Sequence, residues 1–461
     1  MKRILAIILA ALLTVSSLAS CTAEPDNGGS AGSDTVIGSD TTIEGDNNAT
    51  EETKNDSTDK ATDKEEDKDD NTETEKPTFD VTESTSGLAY VLNEDKLSYT
   101  VVGKGTSTSK SIVIDGHNGL PVTRVGYSAF GDNKSITSVK LGDYVEIVDD
   151  QAFSQCSALT SVTFGTGVKL LGDYSFRYCT SLTSIELGKN IEVIKYGAFY
   201  NCQKLATIRM FGNVRLIEDY AFDKTAYYND SSHWKSNVLF IGNNLIEAKN
   251  SVSNTYTVPT NTTCIAALAF STCASLTKVV IPDSVHSIGP QAFQDTTKLN
   301  TITIGKGVTY IGEKAFYNSG FHNNSDNWKS NVLYVGNYIV DAKTGLSGGY
   351  TVTSGTKAIA DMAFADCASL TSISIPDSVV YIGEYAFRGC TKLGTVVLGT
   401  GVKEIGILAF KDCAALKNIT VNDASGWKAG NISVSSNILS SKTDAAMYIG
   451  ILYSDKVWKN S

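Results

Sequence analysis

Nine cysteines and four histidines are the side chains of this 461-residue chain with the most reactive chemistry on offer. Seven of the cysteines stand three residues after an Ala-Phe or Ser-Phe pair: Cys156, Cys179, Cys202, Cys273, Cys367, Cys390 and Cys413. One ligand per repeat would give a line of sulfurs, whereas tetrahedral zinc needs four converging on a point. Disulfides between stacked repeats meet a different obstacle. Their Cα atoms would come within range at ~5 Å, but the Cβ vectors would be parallel rather than facing. The expectation is a ladder of reduced, buried thiols acting as small apolar side chains, with no metal and no cofactor. Cys264 aligns with Ala358, so a small side chain suffices there. Among the histidines, His233 aligns with Asn327 and His322 with Tyr228 in a second copy of the same segment. No H-E-x-x-H, G-x-S-x-G or P-loop pattern occurs, and neither histidine belongs to an evident Ser/Cys/Asp constellation. No catalytic residue is assigned.

The elements that would position these groups come from a repeat. Phenylalanines end the Ala-Phe or Ser-Phe pair at 130, 153, 176, 199, 222, 270, 293, 316, 364, 387 and 410, in steps of 23 residues except two of 48. Around each Phe, apolar residues recur eight and five before it, then six, nine and eleven after it, as in Leu159, Val162 and Phe164. The element Leu-x-x-Ile-x-Ile reads as a short strand, because residues two apart share a face. One repeat cannot enclose a core, so neighbours must stack and pair in parallel. Phe153, Phe176, Phe199 and Phe293 then belong to an aromatic column running through all repeats. A Gly often stands four before the Phe and is expected to allow a tight bend.

The two long steps each hold an insertion of 25 residues. Both contain Trp-Lys-Ser-Asn-Val-Leu, from Trp234 and from Trp328, then a Gly-Asn pair. Val238–Ile241 with 245–248, and Val332–Val335 with 338–341, read as hairpins. Tyr227, Tyr228, His233, Phe321 and His322 flank them, and aromatics with a polar end suit a binding surface. They also suit the base of a hairpin, and the sequence leaves both readings open. The outer face of the strand column is a second candidate surface, polar and nearly uncharged, with Ser161, Thr163, Ser184, Thr207, Thr301 and Thr303 among its residues. Thr and Ser merely suit half-exposed strands as well.

This period and frame resemble the BspA-like class of leucine-rich repeats over most of residues 88–458. Gly87-Leu88-Ala89-Tyr90 through Gly119-Leu120-Pro121-Val122 is similar to that family's N-terminal cap, and Gly426-Trp427 through Val457-Trp458 to its C-terminal one. The resemblance implies a β-rich repeat solenoid on a cell surface, binding host or partner molecules rather than transforming substrates. The start of the chain agrees with export. Lys2 and Arg3 precede an apolar run too short to span a bilayer comfortably, ending in Leu18-Ala19-Ser20-Cys21. That ending resembles the lipobox of bacterial lipoproteins, which implies lipidation of Cys21 and attachment to the outer face of a bacterial membrane.

Residues 22–78 carry 18 acidic against 5 basic side chains, while residues 79–461 carry 32 of each. The first segment cannot bury enough apolar surface to offset the entropy of ordering, so it reads as a disordered tether reaching ~40 Å or more. The neutral body offers no footprint for a polyanion, so nucleic acid is not an expected partner. The expected organisation is a signal peptide at 1–21, an acidic linker at 22–78 and an N-terminal cap at 79–118. A solenoid at 119–421 and a C-terminal cap at 422–461 follow. The expected function is an adhesion or binding scaffold for an extracellular protein or glycan. The alternatives are a structural envelope or spacer protein and, last, an enzyme.

Overall fold

Each 23-residue repeat forms one turn of a β-solenoid, described here by a computed structural model for residues 77–460. The leader, Cys21 and the linker up to residue 76 lie outside the described residues. Two walls of parallel strands run along the coil. The Leu-x-x-Ile-x-Ile element supplies the longer strands: Ser138–Leu141 pairs with Ser161–Thr163, and Ser184–Leu187 with Thr207–Met210, each 23 residues apart in register. The apolar residues before the Phe supply a second wall of two-residue strands, Ile147–Val148, Leu170–Leu171, Val193–Ile194 and Leu216–Ile217. Two residues are too few for alternation to show in sequence.

The Phe segment closes the coil without being a strand. Residues two before and two after each Phe are left-handed: Gln151 and Gln155, Tyr174 and Tyr178, Leu268 and Thr272, Leu408 and Asp412, with φ between 55 and 63°. Few of these are glycine, so each costs on the order of 1 kcal/mol. The compensation is a third ladder. The N–H groups of Gln151, Phe153 and Gln155 donate to the carbonyls of Asp173, Ser175 and Arg177 at 2.7, 2.7 and 2.6 Å, so the backbone stays satisfied at the bend.

The glycine four before the Phe serves a purpose other than the expected bend. Gly172, Gly289, Gly312, Gly383 and Gly406 have ordinary φ values, but an added Cβ would lie 2.4–2.5 Å from a backbone nitrogen of the preceding turn. Close stacking of turns, not left-handed geometry, excludes a side chain. Gly312→Ala is therefore expected to destabilise by ~1–3 kcal/mol through overpacking. Gly188, with nothing within 4 Å of its Cβ position, should accept Ala with no loss. Equal melting temperatures for the two variants would contradict this.

The cysteine ladder lies in the core. All eight described cysteines are free, seven of them fully buried and Cys413 partly so. Their thiols do more than fill space. Cys156, Cys179, Cys202, Cys390 and Cys413 donate to the Phe carbonyl of the preceding turn at 3.1–3.3 Å. Burial pushes the Cys156 thiol up to about 12, which keeps it protonated and unreactive.

The Phe column is three stacks rather than one. Phe130 to Phe222, Phe270 to Phe316 and Phe364 to Phe410 stack nearly parallel with centroids 4.9–5.6 Å apart. The insertions interrupt them, and a tyrosine opens each new stack: Tyr256 against Phe270 at 5.5 Å and Tyr350 against Phe364 at 5.9 Å. The hairpins Val238–Ile241/Asn244–Ala248 and Val332–Val335/Tyr338–Ala342 form as read from sequence. Each return strand then joins the short-strand wall, pairing in parallel with Cys264–Ile265 or Ala358–Ile359.

At the ends, the hairpin Ala89–Leu92/Tyr99–Gly103 covers the first turn through Leu120–Val125. Trp458–Asn460 pairs antiparallel with Glu404–Ile405 and with Trp427–Ala429, and both Trp427 and Trp458 are buried. No described helix is long and apolar enough to cross a membrane.

Candidate functional site

The insertions build clefts because each begins with a short helix that the repeat lacks. Where most repeats place Cys three after the Phe, these two place Thr225 and Ser319, whose hydroxyls accept from the N–H groups of Tyr228 and His322. That exchange of thiol for N-cap hydroxyl starts the helices Ala226–Asn229 and Gly320–Asn323. Thr296 occupies the same position without an insertion, so the signal is suggestive rather than sufficient.

Part of each insertion is the same scaffold twice. The indole N–H of Trp234 donates to the Tyr228 carbonyl at 2.8 Å, and that of Trp328 to the His322 carbonyl at 2.7 Å. Lys249 and Lys343 lie over the two indoles at 4.3 and 4.8 Å. His233 Nδ1 meets the Tyr227 carbonyl at 2.9 Å, and the Asn327 amide donates to the Phe321 carbonyl at 2.8 Å. A backbone carbonyl is capped either way. His233 is thereby held in place, with its ring stacked on Tyr227 at 3.7 Å. Phe321 packs against the main apolar core.

The other positions face clefts and differ. Tyr228 donates its hydroxyl to Glu247 at 2.8 Å in a cleft of about 450 Å³ that also holds Glu218, Asp219, Asp223 and Lys249. In the second copy His322 Nε2 meets Asp341 at 3.0 Å in a cleft of about 270 Å³ with Lys314, Asp366 and Arg388. Glu247 and Asp341 are equivalent residues that sequence reading missed, since nothing local marks a pair 19 residues apart. One cleft is acidic and tyrosine-lined, and the other mixes both charges. Burial pushes Glu218 up to about 7 and Asp223 to about 6. A third space of about 700 Å³ lies between Tyr227, His233, Phe240 and Tyr256.

The short-strand wall behaves differently from the longer strands whose Ser/Thr face was the second candidate. In each two-residue strand one side chain enters the core and the other points out. Yet the outward residues Cys264, Ser287, Tyr310, Ala358 and Tyr381 are buried. Arg215, three turns before Tyr310, reaches its ring at 5.2 Å, and Tyr310 meets Tyr381 at 5.8 Å over Ala358. Asp361 accepts from the Tyr381 hydroxyl at 3.1 Å and the Glu384 N–H at 2.8 Å. Burial, and after it the Glu384 carboxylate, push Asp361 up to about 7. Along the longer strands Ser161, Thr163, Ser184 and Thr207 stay exposed, and Arg209 pairs with Glu186 at 2.9 Å.

The described residues contain no group of three or more His, Cys, Asp and Glu side chains arranged for a metal ion. The description "BspA type Leucine rich repeat region" matches in six copies over residues 109–229, 226–347 and 350–437. Among solved structures the chain is similar to a leucine rich cell surface protein from Faecalibacterium prausnitzii A2-165. That match has 25% identity and a TM-score of 0.27, and covers 68% of this chain and 93% of that one. A leucine-rich repeat protein from Bacteroides ovatus is 21% identical with a TM-score of 0.23, covering 72% and 92%. The pneumococcal vaccine antigen PcpA is 16% identical with a TM-score of 0.25, covering 77% and 89%. No curated protein matches the chain.

Proposed function

The chain belongs to the family of BspA-type leucine-rich-repeat proteins, and on that premise we propose that it is a lipid-anchored binding scaffold displayed on a bacterial surface. The observation that carries this reading is the divergence of the two insertions. Their packing residues repeat, as Trp234 with Trp328 and Lys249 with Lys343. Their cleft residues do not, as Tyr228 with His322 and Glu247 with Asp341. Clefts that differ on a shared frame suit two ligands, or two parts of one extracellular ligand.

A glycan and extracellular-matrix array probed with the full chain tests the reading. Saturable binding to an extracellular molecule supports it, and no binding returns the chain to the role of spacer. Display depends on Cys21, whose thiol would carry the lipid. Cys21→Ala should release the protein from membranes in a fractionation experiment, because the apolar leader is too short to hold it as a span. Unchanged membrane retention would remove the anchor from this account.

A further inference from the structure

Where the first insertion has the space between Tyr227, His233, Phe240 and Tyr256, the second carries a hydroxyl–hydroxyl contact. There, the Tyr334 hydroxyl bonds the Tyr350 hydroxyl at 2.9 Å and lies 3.4 Å from Thr353 Oγ1. Phe240 stands in the place of Tyr334 in the first copy, while Tyr256 keeps the tyrosine of position 350. The Tyr256 hydroxyl is left with no hydrogen-bond partner among the described residues, at the wall of a cleft of about 700 Å³. A volume of that size lies in the range of small-molecule sites. The protein's own second copy shows what satisfies this position: a hydroxyl group.

We infer that this cleft takes a neutral saccharide unit of an extracellular glycan, whose hydroxyl stands where the Tyr334 phenol stands in the second copy. The inference rests on the binding reading above and names the ligand class of its first insertion. The walls are aromatic. Tyr227 and His233 form a stacked pair, held by the Tyr227 hydroxyl donating to the Phe240 carbonyl at 2.9 Å, and Phe240 and Tyr256 line the same cleft. Aromatic faces suit the C–H face of a pyranose, and polar tips suit its hydroxyls. The polar lining consists of Ser232, Ser236, Thr257 and Asn261. The Asn261 amide donates to the Asn243 side chain at 3.1 Å, which leaves its own oxygen as an acceptor. No carboxylate lines the cleft, and Lys235 is its only lysine or arginine. A cationic peptide therefore finds no counter-charge, and an anionic glycan finds one exposed ammonium.

The test uses the full chain on an array of neutral and anionic oligosaccharides, with affinities then measured for each neutral ligand bound. Phe240→Tyr restores the arrangement of the second copy, so it should fold with an unchanged melting temperature while binding falls at least ~10-fold, the direct polar contact being replaced internally. Tyr256→Phe, which removes the unpartnered hydroxyl and leaves the walls, should weaken binding too. Tyr334→Phe should leave it unchanged. Absence of any neutral ligand would overturn the inference, as would binding confined to anionic glycans or peptides, or neutral-glycan binding that Phe240→Tyr leaves intact. A protein ligand retained by Phe240→Tyr would also overturn it, while the scaffold reading would stand.

Discussion

Phe293→Ala should lower stability by ~3–5 kcal/mol, the cost of truncating a large, fully buried aromatic. Phe293 is the middle ring of the second stack, 4.9 Å from Phe270 and 5.3 Å from Phe316. Stability in a solenoid is a sum of turn energies and nearest-neighbour terms, so the loss should stay local. The structure gives the region its bounds, because Tyr256 and the second insertion end that stack on either side. Hydrogen exchange should therefore accelerate most between the two hairpins, with less change in the turns of Phe153 and Phe176. Uniform loosening along the whole array would show that the coil unfolds as one unit.

Stability should also fall as the pH rises from 5 to 8, and Asp361 should be a main cause. Its pKa is raised in the folded protein, to about 7 from 3.8, so the folded state holds a proton over that interval that the unfolded chain has released. The folded state is favoured below the unfolded value and progressively loses that advantage up to the folded one. A shift of that size corresponds to at most ~4 kcal/mol. The charged form must share its buried surroundings with Glu384, whose own neighbouring cation is Arg215. Asp361→Asn keeps an oxygen to accept from Tyr381 and Glu384 and has no charge to bury. It should melt close to the parent at pH 5 and well above it at pH 8. Parallel melting curves across that range would show that Asp361 is ionised at little cost.

These two residues also mark where sequence reading succeeds and where it stops. Phe293 is visible because its period is set by the coil itself, and any stack of turns must repeat the group that fills it. The hairpins are visible for a similar reason, since Gly-Asn turns between apolar pairs have a local geometry. Asp361 is different. Its surroundings include Tyr310 and Glu384, and Tyr310 in turn meets Arg215 from a distant turn, so no local signal in the sequence brings these groups together. Glu247 and Asp341 were missed likewise, since they meet Tyr228 and His322 only when a helix and a return strand converge. The left-handed positions were hidden because Gln, Tyr and Leu occupy them far more often than Gly does. The glycine four before the Phe was seen, but its reason lies in the backbone of another turn.

The claim that the insertion clefts do the binding is tested most directly by the double substitution Tyr228→Ala with His322→Ala. Binding of the full-length variant to the extracellular molecules captured by the parent chain would be measured beside its melting temperature. The account predicts binding reduced at least ~10-fold, as when a central aromatic contact is truncated, with melting moved by no more than a few degrees. Retained binding together with a large fall in melting would place both residues in the packing of the hairpins and leave the Tyr228 and His322 clefts without a ligand.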